Sequence, residues 1–445
     1  MKSKYLLLCV FLGYIILPVQ SESDMNQMFT FQFHTLSNLQ NMEDTSYASE
    51  LIWEPEIYGY LERSELFFKP SFEFPIEEAG EVYAEIAELK LSFFPSDNIS
   101  FSAGRYIHDS SFAAFFSQTA FFKTTDYMEL LKGSIDSAVV PSWLIEGSLY
   151  HGDWYVRGSL EPFRYDLPFF EPDSVWFPNL GFPQEISINF EWAPRDKIEL
   201  EEIRIVDTDS DGSFNRFIED IGVALEAGGR ISEWDLLILA YSGRNTVPLY
   251  TAEIIPGESP LSDDYRVELH PLVERVASMG AAVRRAFGPL VFFGEGSWDF
   301  NRPLIKETYL STGLGFETES YIRQYVGFTL GGRWEWWDAN LLVSAEYTNG
   351  YILDEEPRTV MPFFQQMALS SLVWSPLDGR IVLSAAGIVA IEDRSLALNF
   401  SSEYSPGDGK VSIKLSLPLF FGSPDSSFGA YREILHPTFS SSIRY

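Results

Sequence analysis

The chain has one cysteine in 445 residues, Cys9, and that cysteine lies inside the apolar run that opens the sequence. If the run is removed, no thiol remains, which excludes disulfides, thiolate metal sites and a cysteine nucleophile together. Positive charge is scarce as well: 31 Lys and Arg stand against 64 Asp and Glu, for a net charge of −33. A surface of that sign does not collect phosphates, so nucleic acid is excluded as a non-specific partner. Past the opening run there is no apolar stretch of the roughly 20 residues that a membrane-spanning helix needs. Linkers, low-complexity tracts and breaks in composition are also lacking, and a single domain is the simplest account.

Aromatic residues are what the chain has in quantity. Phe 37, Tyr 22 and Trp 11 make up 16% of it, far too many for the disordered state that heavy acidity alone would suggest. The opening MKSKYLLLCVFLGYIILPVQS places Lys2 and Lys4 before an uncharged run and ends on small and polar residues. That is the layout of a secretory signal peptide over residues 1–21, with an uncleaved anchor as the alternative. Its removal takes Lys2 and Lys4 with it, so −33 becomes −35, and residues 22–445 leave the cytoplasm as one domain.

From residue 28 the dominant signal has a period of two. Phe29, Phe31 and Phe33 alternate with Thr30, Gln32 and His34, and Ile186, Ile188, Phe190 and Trp192 alternate with Ser187, Asn189 and Glu191. Val411, Ile413, Leu415, Leu417 and Leu419 alternate with Ser412, Lys414 and Ser416. Such segments run about nine to eleven residues, the length that crosses a bilayer at a tilt. Between them lie Pro, Asp, Asn and Gly clusters such as PSDN, SPLDGR and SPGDGK, which supply tight reversals. Counting segments predicts 14 to 18 strands, with sixteen as the middle even value.

A soluble sandwich and a transmembrane antiparallel β-barrel share this alternation. Sandwich strands are shorter, averaging about five or six residues. The tryptophans gather at segment ends, as in Trp53, Trp143, Trp154, Trp192, Trp334, Trp336, Trp337 and Trp374, the positions of interfacial belts. The last residues, HPTFSSSIRY, set Phe439, Ile443 and Tyr445 on one face with no later segment to cover it. Closure into a barrel leaves no unsatisfied edge, so an all-β transmembrane barrel is expected. The pattern breaks at Arg105, which shares a face with Ile99, Phe101 and Ala103, and between Leu200 and Ile203. A bulge or a strand rising above a membrane explains either break.

SAGRYIHDSS, TDYMELLKG and PSWLIEGSLYHGDWYVRGSLEPFRYDLP resemble a broad family of bacterial outer-membrane barrels of the porin and alginate-export type. WDLLILAYSGRNTVPLY and YRVELHPLVERVASMGAAVRRAFGPLVFFGEGSW look like that family's later hairpins. The resemblance covers most of residues 80 to 300 and the last ten. It implies a cell outer-membrane location, contact with outer-membrane lipid, and a terminal strand read by the barrel-assembly machinery.

Three constellations could carry chemistry. Residues 108–141 are too long for a hairpin turn, and Phe112, Phe115, Phe116 and Phe122 have roughly helical spacing. They are expected either to fold as a partly helical loop into the lumen or to pack as an ordinary outer loop. Candidate pore-lining or constriction residues are Arg105, His108, Phe112, Phe115, Phe116, Asp126, Arg157 and Arg323, of which the three arginines would form a basic stripe. In VDTDSDGSFNRFIED, Asp207, Asp209, Asp211 and Gly212 match the first half of a Ca²⁺ loop. The closing Glu should stand at Ile218 but comes one residue late, as Glu219, so a solvated acidic turn is the competing reading. His108, Asp109 and Ser110 are adjacent, yet there is no HExxH, no GxSxG and no repeated His spacing, and no enzyme is expected.

The expected function is a porin-like channel for passive diffusion of small hydrophilic solutes, cation-preferring because of the acidic charge, with no cofactor beyond the Ca²⁺ of that loop. The alternative is an outer-membrane adhesin or structural barrel with a closed lumen.

Overall fold

The computed structural model describes residues 23–38, 46–75, 83–108, 110–122, 124–125, 139–163, 185–190, 193–205, 221–244, 249–256, 264–272, 274–309, 316–353, 359–360, 366–377, 379–406, 411–424, 426–432, 434–435 and 437–444. Among them, two 3-10 turns, Trp337–Ala339 and Gly429–Tyr431, are the only helical elements.

Eighteen strands make the main sheet. In chain order they are β1 (Ser23–Asn38), β2 (Ser46–Leu61), β3 (Ser64–Pro75), β4 (Tyr83–Ser96), β5 (Ile99–Tyr106), β6 (Ser142–His151), β7 (Trp154–Phe163), β8 (Gly222–Ile231) and β9 (Trp234–Arg244). The second half comprises β10 (Arg275–Phe287), β11 (Leu290–Tyr309), β12 (Phe316–Trp336), β13 (Leu341–Leu353), β14 (Met367–Trp374), β15 (Ile381–Ala390), β16 (Ser395–Tyr404), β17 (Val411–Phe421) and β18 (Thr438–Arg444). Each strand is antiparallel to the next. The last, β18, also pairs with β1, setting Phe439 opposite Phe33 and Ile443 opposite Phe29. Every strand therefore has two partners and the ring closes as an antiparallel barrel. Eighteen strands stand at the top of the expected range and replace the middle value of sixteen. Strands of seven or eight residues, such as β14 and β18, show too few alternations for periodicity to count them securely.

Antiparallel order puts all connections of one kind at one end. Two-residue turns at 62–63, 97–98, 152–153, 232–233 and 288–289 lie at one rim, and β5, β7 and β9 end at the other, with Tyr106, Phe163 and Arg244 as their last residues. The period of two then sorts each strand into an outer and an inner face. Leu149, Leu225 and Ile238 are 59%, 60% and 61% exposed on the outside, while the next-door positions Ser148, Glu226 and Leu239 are buried. Exposed Trp154, Trp234, Trp334, Trp336 and Trp374 ring the short-turn rim.

Both sequence irregularities have a structural counterpart. Gly104 has φ +143°, and a Cβ there would fall 2.0 Å from the Leu89 carbonyl oxygen, so only glycine fits where β5 turns toward Arg105. Between Leu200 and Glu202 the register slips within a separate four-stranded sheet (Glu185–Phe190, Ala193–Ile205, Leu249–Pro256, Asp264–Leu272), built from the long connections.

At the rim opposite the two-residue turns, Asp393 joins two connections. Its carboxylate accepts from the backbone and hydroxyl of Ser395 (3.0 and 2.6 Å) and from those of Ser427. Burial works to raise its pKa, but these hydrogen bonds outweigh it and hold the carboxyl below the ordinary aspartate range. A depressed folded-state value means that the stabilisation is present above the unfolded pKa and is lost as pH falls through the folded one. Amide exchange of residues 426–429, corrected for intrinsic pH dependence, should rise several-fold across that acid window in the wild type. Asp393→Asn should already show the raised rate at neutral pH.

Candidate functional site: a segment bound to the inner wall

After β5 the chain does not leave the barrel. Residues 107–122 touch Glu146 on β6, Glu226 on β8, Glu295 on β11 and Glu346 on β13. One short segment can reach strands seven places apart in the ring only from the inside, so these four glutamates mark the inner face.

Two of them hold the segment's backbone. Glu295, 4% exposed, accepts from the amides of Phe112 (2.5 Å), Ala113 (2.8 Å) and Gln118 (3.0 Å) and from the hydroxyls of Ser111, Ser117 and Thr119. Glu346 accepts from the amides of Ala114 (2.8 Å), Phe115 (3.2 Å) and Phe116 (3.1 Å). Thr329 donates to the Phe116 carbonyl, and Gln118 donates to Thr348. These bonds explain why the expected helix is absent from residues 110–122. The amide protons that a helix would direct to carbonyls four residues back go to wall carboxylates instead.

The segment's phenylalanines face the apolar part of the same wall. Phe112 and Phe121 pack on Leu237, Leu239 and Ala282, and the Arg284 guanidinium lies 4.6 Å from the Phe112 ring. Phe121 stacks on Tyr241 at 5.0 Å, and Phe122 closes a cluster with Tyr106, Leu144 and Ala224. Burying such side chains stabilises by about 1.5–3 kcal/mol each. Phe115 and Phe116 remain half-buried beside Glu346.

His108 begins the inward run. Its Nδ1 is 2.5 Å from Glu146 and its Nε2 is 3.4 Å from Glu226. Tyr106 and Ser159 donate to Glu146, Tyr155 donates to Glu226, and Arg157 is 3.9 Å from Glu226. Both ring nitrogens thus face carboxylates, while the Ser110 hydroxyl donates to the Thr119 carbonyl, so no histidine-activated serine is present here.

The three arginines do not form one stripe. Arg157 belongs to the His108 cluster. Arg105 is buried and pairs with Glu85, donating also to the Ile86 and Pro141 carbonyls. Arg323 lies on β12, 5.1 Å from the Tyr321 ring and donating to the Ile322 carbonyl. The separation follows from strand assignment: Arg105, Arg157 and Arg323 stand on β5, β7 and β12. Asp126 and the acidic residues Asp207, Asp209 and Asp211 lie outside the described residues. The four inner-wall glutamates did not stand out from the sequence, although a signal exists: each is flanked by a small residue, in IEGS, LEAG, GEGS and SAEY. A carboxylate between small neighbours on the polar side of a strand leaves room for a foreign segment to lie on it.

No protein-family model matches the chain, and no curated protein matches it at the level of sequence. Solved structures do. Pseudomonas aeruginosa OccK2 (OpdF) superposes with a TM-score of 0.50 over 95% of this chain and 97% of its own, at 5% identity. The chain has that fold. Pseudomonas aeruginosa OccK9 (OpdG) gives 0.49 at 7% identity over 95% and 98% of the two chains. A loop L8 deletion mutant of OmpT, an outer membrane protein of Vibrio cholerae, gives 0.39 at 10% identity over 96% and 100%.

Glu295→Gln should set an amide group against three of the donors that it now accepts from, at a cost of about 1–3 kcal/mol for each buried donor left unpaired. Amide exchange at Phe112, Ala113 and Gln118 should accelerate while the β11–β12 ladder stays protected. Unchanged exchange at those three positions would show that Glu295 does not hold the segment.

Proposed function

We propose that the chain is a bacterial outer-membrane channel through which small hydrophilic solutes diffuse, narrowed by residues 107–122 and preferring cations. The observation that carries this reading is the inward segment itself. A barrel whose inner wall is buried under its own chain on one side, with polar side chains left half-exposed on the other, is built as a narrowed passage. Lipid is the partner that fits the outside, since the exposed Leu, Ile and Phe positions and the tryptophan rim match a bilayer's hydrocarbon and interface in turn. The fold likeness to OccK2 is consistent with this reading.

Cation preference rests on unequal charge. On β2 and β4, Glu54, Glu56 and Glu88 take inner positions near Lys69, which bridges Glu54 at 3.4 Å. Fixed carboxylates in a narrow aqueous path raise the local cation concentration. An adhesin or structural barrel with a closed lumen is the competing reading.

In a planar bilayer under a KCl gradient, the purified protein should conduct and the reversal potential should take the sign for K⁺ over Cl⁻. Glu54→Gln combined with Glu56→Gln and Glu88→Gln should bring it toward zero. A folded, inserted protein without conductance would favour the closed barrel, and an anion-signed potential would overturn the charge argument. Leu225→Arg tests the lipid-facing assignment: it should destabilise the inserted barrel by about 2–4 kcal/mol if the residue lies near mid-bilayer, read by urea unfolding in vesicles.

A further inference from the structure

The inner wall has two unlike arcs. From β6 to β13 it is covered by residues 107–122, and its glutamates are occupied. From β13 to β18 it carries rows of hydroxyls, set among apolar inner positions such as Leu369, Val373 and Ile388. Ser344 faces Ser371 across the β13–β14 pair with their oxygens 2.6 Å apart. Along the next row Ser384, Ser401, Ser416 and Thr438 stand directly opposite one another on β15, β16, β17 and β18. Below them Ser412 faces Ser442 at 2.7 Å. All of these hydroxyl residues are partly exposed. Among the described residues, Ser384 and Ser401 make no side-chain hydrogen bond. Charged positions on this face of the arc are few: beyond Glu346, which holds the loop, Glu403 and Lys414 stand opposite each other and Arg444 ends β18 two residues past Ser442.

A second feature adjoins this belt. Phe115 and Phe116, half-buried, are held by their amides to Glu346, which shares the inner face of β13 with Ser344 two residues away. An aromatic edge therefore borders the hydroxyl row. A hydroxyl both donates and accepts, and it reorients to suit its partner. An ion gains little from a row of neutral hydroxyls, whereas a solute carrying several hydroxyls of its own can exchange water for wall at each step. An aromatic edge packs against the C–H faces of such a solute, which charged or purely aqueous surroundings do not reward.

Resting on the channel reading above, we propose that the β13–β18 arc is a track for uncharged polyhydroxylated solutes of the saccharide class, with Phe115 and Phe116 as the aromatic border. The inner-face carboxylates of β2 and β4 bias small ions, and the hydroxyl arc selects the neutral solute.

The test uses the full-length protein in planar bilayers and in proteoliposomes. Raffinose, a neutral trisaccharide, should interrupt the K⁺ current in a saturable way. In swelling assays glucose should enter faster than gluconate and glucosamine, which are close to it in size and differ in charge. Combining Ser371→Ala, Ser384→Ala, Ser401→Ala and Ser416→Ala, with folding checked by circular dichroism, should weaken raffinose block by about five-fold or more and leave K⁺ conductance within about two-fold. Phe115→Ala, a single change in the border, should also weaken raffinose block. A K⁺ current that raffinose does not touch, or a block that the serine variant does not weaken, would overturn the track and leave the channel standing. Absence of any K⁺ current from the inserted protein would overturn the channel, and the track with it.

Discussion

The pairing of β18 with β1 is the constraint on which the rest of the structure depends. Without it the sheet would present two open edges, each a row of unpaired N–H and C=O groups that no lipid could satisfy. With it, every strand has two neighbours, and the alternation along each strand becomes a division of space into outside and inside. Phe33 opposite Phe439 and Phe29 opposite Ile443 show that the two ends of the chain meet in the register that keeps apolar positions on one face. A slip of one residue at this seam would invert the faces of the joined strands.

Given a closed ring, the inward segment poses its own problem. Residues 110–119 have no regular backbone partner, and buried amides without acceptors would cost about 1–3 kcal/mol each. Glu295 and Glu346 solve it by taking three amides apiece. The arrangement works in both directions. A carboxylate buried in a barrel wall is costly unless several donors surround it, and an irregular segment is costly unless acceptors are supplied. Each makes the other tolerable, and the phenylalanines add the apolar contact that fixes which strands the segment lies on.

Much of the fold was legible because the period of two is a local property. Phe29, Phe31 and Phe33, or Ile413, Leu415 and Leu417, reveal their face without reference to any other strand. The turns were legible for the same reason, since Gly, Pro and Asp act within a few residues. The wall glutamates were not, because what distinguishes Glu295 from any polar-face residue is a partner some 180 positions earlier in the chain. Helical spacing in Phe112, Phe115 and Phe116 misled in the same way: spacing reports an intrinsic tendency, and long-range acceptors overrode it. Arg105, Arg157 and Arg323 looked alike as residues, yet only their strand assignment separates a member of the His108 cluster from a rim contact and from a residue on β12.

Net charge also reads differently once the carboxylates are placed. An excess of acidic residues suggests a strongly negative lumen, but Glu146, Glu226, Glu295 and Glu346 are consumed by His108, Arg157, tyrosines and backbone amides. His108 and Arg157 face Glu146 and Glu226, and the amides around Glu295 and Glu346 solvate those two carboxylates beneath the segment, away from an aqueous path. What such a path meets is therefore set by fewer groups: Glu54, Glu56 and Glu88 with Lys69 among them on one side, and a row of neutral hydroxyls on another. On the channel reading proposed above, selectivity follows from the carboxylates that the inward segment leaves unoccupied, while Glu295 and Glu346 are spent on positioning that segment.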